Sequence, residues 1–83
     1  LARYVSHRLA REAKVRRALE AAQAAGATPA TASALVPAAY ADAPRAVWPL
    51  ATLAVEAHLL KLEHEGAAVR EGSRWHAGPD TGT

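Results

Sequence analysis

The side chains most able to do chemistry in this chain are its four histidines, His7, His58, His64 and His76, together with scattered carboxylates. There is no cysteine, which removes disulfides, thiolate zinc sites and cysteine nucleophiles together. A metal site on a helix needs ligands three or four residues apart, so that they share a face. His58 and His64 are six apart and fall on opposite sides of a helix, and His7 and His76 lie far from both. No His-Glu-x-x-His spacing occurs. Ser6, Ser33 and Ser73 lack the strand-turn-helix setting of a nucleophile elbow, and no glycine-rich phosphate loop is present. His58 reads as a residue at the edge of a core. The expectation is a chain with no catalytic residue, no metal ligand and no cofactor of its own.

Charge offers a second kind of chemistry. The net charge is only +2, but Arg3, Arg8, Arg11, Lys14, Arg16 and Arg17 crowd the first stretch, and Arg70 and Arg74 sit near the end. Arg8, Arg11, Lys14, Arg70 and Arg74 are therefore candidates for phosphate contacts with a nucleic acid, without sequence preference. The competing reading is a solvated helix face tied by local pairs, since Arg8–Glu12 and Arg16–Glu20 have the i,i+4 spacing.

The elements that must carry these residues can be read from periodicity. Residues 2–25 form one long helix ended by Gly26, with Val15, Ala18, Leu19 and Ala22 as its core stripe. Leu9 and Ala13 do not continue that stripe; they lie well away from it around the helix and make a separate apolar strip. A second helix follows, capped by Thr28 ahead of Pro29 or by Thr31, with Leu35, Val36, Ala39 and Tyr40 inward. Pro37 lacks an amide hydrogen, so this helix should kink or begin late. Residues 41–44 stop it. A third helix starts at Trp48-Pro49 and ends at Gly66. It carries two apolar stripes, one of Val55, Leu59 and Leu62 and one of Leu53, Ala57 and Leu60. Residues 67–70 and 73–76 then read as a hairpin around Glu71-Gly72, with Trp75 pointing at the core.

Three helices followed by a hairpin is the order of a winged helix-turn-helix, a mainly α fold in the α+β class. Residues 1–76 make the domain and 77–83 a flexible tail. In DNA-reading members of this architecture the third helix presents Arg, Lys, Asn or Gln to base edges. Here that helix offers Leu53, Ala57, Leu60 and Glu56, with Lys61 its only Lys or Arg. Base reading is disfavoured. Leu9, Ala13, Leu53, Ala57 and Leu60 are instead candidate protein contacts, with a neighbouring domain or with a second copy in a homodimer.

Several runs resemble a known module. His7-Arg8, Arg11-Glu12-Ala13-Lys14-Val15, Leu35-Val36, Tyr40-Ala41-Asp42-Ala43-Pro44, Trp48-Pro49-Leu50-Ala51 and the stretch from Ala57 to Gly66 are similar to the winged-helix domain that follows the catalytic domain in β-lactamase-like metal hydrolases. The similarity spans residues 7–76, and the third-helix block is its most specific part. It implies an accessory, non-catalytic domain whose partner is a catalytic domain of the metallo-β-lactamase fold. The zinc of that parent would be held by a His-x-His-x-Asp-His motif outside this chain. Pro37 and Leu53 depart from the family's pattern, the latter standing where relatives often carry Arg.

Length and composition agree with this reading. The 83 residues suffice for one small core. With no methionine and a first residue Leu1, the chain is expected to be a piece of a longer one. The absence of cysteine makes a cytoplasmic origin the expectation, and with no apolar run near the roughly 20 residues that span a bilayer and no leader evident, no membrane contact is expected. The rival function is a free-standing nucleic-acid-binding winged helix.

Overall fold

The computed structural model describes residues 2–79. Helix α1 spans Ala2–Ala24, strand β1 Ala30–Thr31, helix α2 Ala32–Ala39, a 3-10 turn Arg45–Val47, helix α3 Trp48–His64, strand β2 Ala68–Glu71 and strand β3 Arg74–Ala77. The three strands form one antiparallel sheet in the order β1-β3-β2. This is the winged helix expected from the sequence, with two elements added: the 3-10 turn Arg45–Val47, and the two-residue β1, which pairs Ala30 with Trp75 and Thr31 with Arg74.

Both long helices end in the same way. Gly26 (φ 74°) lets Ala27 N–H reach Ala22 C=O at 2.8 Å and Gly26 N–H reach Gln23 C=O at 3.1 Å. Gly66 (φ 85°) repeats the pattern, with Ala67 on Leu62 at 2.8 Å and Gly66 on Glu63 at 3.1 Å. These are Schellman closures, which need a left-handed residue that only glycine supplies cheaply.

Of the two candidate caps for α2, Thr31 is the one used: its hydroxyl accepts from Ala34 N–H at 3.1 Å. Thr28 instead donates its hydroxyl to Gln23 Oε1 at 2.6 Å. Pro37 neither delays nor divides α2, which runs as eight residues with Pro37 inside. The acceptor orphaned by its missing N–H is the carbonyl of Ser33, an exposed residue, so water can satisfy it.

The wing is shifted by one residue from the sequence reading. β2 pairs with β3 from Ala68↔Ala77 to Glu71↔Arg74, leaving Gly72-Ser73 as the two-residue turn. Gly72 supplies the positive φ of 65° that such a turn needs at its first central position. The fold also continues past residue 76. Ala77 closes β3, Gly78 N–H donates to Ala67 C=O at 2.9 Å, and a Cβ at Gly78 would collide with the Gly66 carbonyl oxygen. The remainder of the expected tail, residues 80–83, lies outside the described residues.

The core is the meeting of four layers. Val15 and Leu19 from α1, Leu35 and Val36 from α2, and Val55, Leu59 and Leu62 from α3 are buried. Trp75 (2% exposed) and small alanines of the strands close the base. Small residues at Ala18, Ala39 and Ala51 let the helices approach closely. Among the described residues every buried side-chain polar atom has a hydrogen-bond partner.

Candidate functional site

At 100° per residue, Val55, Leu59 and Leu62 commit one side of α3 to the core, and Leu50, Leu53, Ala57, Leu60 and His64 then fall within an arc of about 80° on the opposite side. The structure leaves that side open: Leu50 is 72% exposed, Leu53 68% and Leu60 45%, with Ala57 and His64 exposed between them. Only Lys61 adds a Lys or Arg charge to this face. Its ammonium is bound at 2.7 Å to Glu12 of α1 and at 3.3 Å to Glu65. These contacts, led by the Glu12 hydrogen bond, raise the Lys61 pKa. The position a base-reading helix fills with hydrogen-bond donors is here a row of hydrocarbon.

The strip on α1 is exposed as well. Residues 5–10 are all exposed, because the first turns of α1 overhang the rest of the fold. Leu9 (54% exposed) and Val5 (52%) form a shallow groove of about 220 Å³ with Arg8, Glu12 and Lys61. Ala13 is half-buried and contributes less surface. A second groove of about 350 Å³ brings His7 and Arg8 of α1 against Ala57 and His58 of α3. Thus Leu9, Leu53, Ala57 and Leu60 all present surface, and the sequence reading missed Leu50 and Val5. Leu50 lies three residues before Leu53, so its place on the same stripe was readable; its position in the first turn of α3 obscured it.

The basic candidates have divided fates. Arg11 and Lys14 do not face outward as free charges. Arg11 Nη1 donates to Ala39 C=O at 2.8 Å and to Asp42 Oδ1 at 2.8 Å, and its guanidinium lies 4.1 Å from the Tyr40 ring centroid. Lys14 Nζ meets Asp42 Oδ2 at 3.0 Å. Asp42 is held far below the ordinary carboxylate range by hydrogen bonds from Arg11 first and Lys14 second. This cluster closes the C-terminal end of α2 by satisfying one of its orphan carbonyls. In the wing, Arg70 lies 3.8 Å from Glu63 and 5.7 Å from the Trp75 ring, while Arg74 is exposed beside the turn and opposite Glu71 in register. The Arg16–Glu20 pair expected from spacing forms at 3.2 Å.

His58 stands at the edge of the core, its Nδ1 3.9 Å from Glu12, and burial lowers its pKa. Among the described residues no group of three or more His, Cys, Asp or Glu side chains is placed to hold a metal ion. No helix there is long and apolar enough to cross a membrane.

No curated protein and no solved structure matches the chain. A family model does: that of the beta-lactamase associated winged helix domain matches residues 31–75, more than half of the sequence. The match starts at the Thr31 cap and ends at Trp75, so it takes in the α2–α3 unit and most of the wing, and leaves α1 outside. Of the similarity read over residues 7–76, the match supports the C-terminal two thirds. On this match and on its architecture, the chain belongs to the beta-lactamase associated winged helix domains.

Proposed function

We propose that this domain is a non-catalytic accessory of a zinc-dependent hydrolase of the metallo-β-lactamase fold, and that it works by meeting protein. The observation that carries the reading is the apolar outer face of α3, with Leu50, Leu53 and Leu60 exposed where a nucleic-acid reader would display polar groups. The zinc that the resemblance implies for the parent would be held by the partner domain, since the described residues of this chain group no three His, Cys, Asp or Glu side chains. The overhang of α1, with Val5 and Leu9, offers a second apolar surface for that domain.

The size of the α3 face bears on what it can do. A helix of 17 residues presents a strip of roughly 25 by 10 Å. At about 25 cal/mol/Å² this gives on the order of 6 kcal/mol before the costs of association. Stable interfaces bury about 800 Å² per partner. The strip alone therefore supports contact chiefly where partners are already held together, as neighbouring domains of one chain are.

The test is Leu53→Glu combined with Leu60→Glu. Both side chains are exposed, so the fold should survive, and circular dichroism checks this. Size-exclusion chromatography should show loss of association, with the β-lactamase-fold domain or between copies, while any weak salt-sensitive nucleic-acid binding stays as it was. Unchanged elution of the double variant would remove the basis of the proposal. So would tight duplex binding by the native chain that the two glutamates abolish.

A further inference from the structure

A groove between α2 and α3 lies apart from the exposed leucines. Ala54 and His58 turn one flank of α3 toward α1, and Pro49 and Thr52 fall on the other flank, toward α2. There they meet Ser33, Val36 and Pro37 of α2, with Arg45 and Trp48 at the connection, around about 540 Å³. That volume is within the range of ligand sites. Trp48 is a fixed platform in it, since its ring N–H is bound to the Tyr40 and Ala43 carbonyls.

Two kinds of polar group along this groove lack partners within the fold. The Arg45 guanidinium lies 5.4 Å from the Trp48 ring centroid. Among the described residues its N–H groups meet no acceptor, whereas Arg11, Arg16 and Arg70 each have a carboxylate. A guanidinium laid on an aromatic ring keeps its N–H edge for a planar oxyanion. The second group is an acceptor. A helical carbonyl points toward the residue four further on, and for Ser33 that residue is Pro37, which has no N–H to give. Both residues line the groove, so the open acceptor belongs to its α2 wall. The Ser33 hydroxyl is also without a partner among the described residues. No second cation lines the groove, which favours a carboxylate with one charge over a phosphate with two.

The geometry points to the α2–α3 groove as a docking site for an extended acidic peptide segment of a partner protein. A carboxylate side chain of the segment meets Arg45, an apolar neighbour lies on Trp48 and Pro49, and a main-chain N–H replaces water on the Ser33 carbonyl. A peptide carries all three groups at once, whereas a small carboxylic acid lacks the amide. The site shares none of its residues with the Leu50, Leu53 and Leu60 face, so its failure would leave the reading of that face standing.

The probe is a library of capped pentapeptides with Glu at the centre and Val, Leu or Pro on either side, compared with the same library carrying Gln. Binding to the full chain is read by NMR from the indole N–H of Trp48, with that of the buried Trp75 as internal control. The Glu library should shift the Trp48 signal saturably, leave Trp75 in place, and bind about fivefold more tightly than the Gln library, as an exposed ion pair allows. Arg45→Gln, on an exposed turn, should keep the fold by circular dichroism and bring the Glu library down to the Gln level. Pro37→Ala, which returns an N–H to the Ser33 carbonyl, should weaken both libraries alike and keep the preference for Glu. Equal affinity for the two libraries, or a Glu preference that survives Arg45→Gln, would overturn the acidic ligand. A Trp48 signal unmoved by either library at millimolar concentration would overturn the site itself. Isovalerate acting as strongly as the peptides, or Pro37→Ala binding them as the native chain does, would overturn the main-chain contact. A larger shift with inorganic phosphate or oligothymidylate, lost in Arg45→Gln, would put phosphate in the groove instead of peptide.

Discussion

Asp42 is half-exposed, yet it ties two helices together, because it gathers Arg11 and Lys14 from α1 onto the end of α2. Its depressed pKa means that the folded state prefers the carboxylate. The stabilisation is present above the ordinary pKa of 3.8 and is lost as pH falls below it toward the folded value. His58 acts in a higher window. Burial lowers its pKa from 6.5, so folding favours the neutral ring; that contribution is whole above 6.5 and declines as pH falls through the folded value. Thermal stability followed against pH should therefore fall in two stages on acidification. His58→Gln should flatten the upper stage and leave the lower one, and Asp42→Asn should do the reverse while lowering stability near neutrality. A variant pair with superimposable pH profiles would show that these groups do not control acid sensitivity. The sequence alone marked Arg11 and Lys14 as cations but could not show their partner, since Asp42 lies 31 and 28 residues away. Only the folding of α2 against α1 brings them together.

Elements are where periodicity spoke most clearly and where short-range competition hid most. The α1 and α3 stripes were legible because apolar spacing persists over several turns and a glycine closes each helix. Strand β1 was not, because two residues cannot show alternation; Ala30 and Thr31 become a strand only when Trp75 and Arg74 arrive beside them. The one-residue slip of the hairpin has the same origin. Glu71-Gly72 and Gly72-Ser73 are both acceptable turns locally, and the pairing of Ala68 with Ala77 decides between them. Thr28 and Thr31 were likewise equal as caps until Thr28 was drawn to Gln23. Thr31 thus has two jobs, strand partner and helix cap. Thr31→Ala should cost about 1 kcal/mol through the lost cap, whereas Thr28→Ala should cost clearly less. Urea denaturation of the two variants decides it, and equal losses would mean that the hydroxyl of Thr31 adds nothing particular to α2.

The whole molecule is small, and its stability depends on closing one core from four sides. A domain of this size holds only a few kcal/mol in reserve. Trp75 sits at the point where that closure is made: it is 2% exposed, lies in the central strand of the sheet between β1 and β2, and covers the helices from below. Removing it should cost about 3–5 kcal/mol, the usual range for a buried aromatic, which is most of what the domain has. Trp75→Ala should then be largely unfolded on its own at ambient temperature, while Trp48→Ala, at a half-buried site, should remain folded with a lower midpoint in urea. Trp48 links the α2–α3 turn by donating its ring N–H to Tyr40 C=O at 3.1 Å and to Ala43 C=O at 3.3 Å. Its loss therefore loosens one corner rather than opening the core. If the two variants instead unfold at the same urea concentration, the wing is a cover the helices can do without, and a three-helix bundle would be the true unit of stability. The distinction reaches function as well. An exposed leucine row on α3 can recognise a partner only while the opposite side of the same helix is held down, and in this molecule the wing helps to hold it.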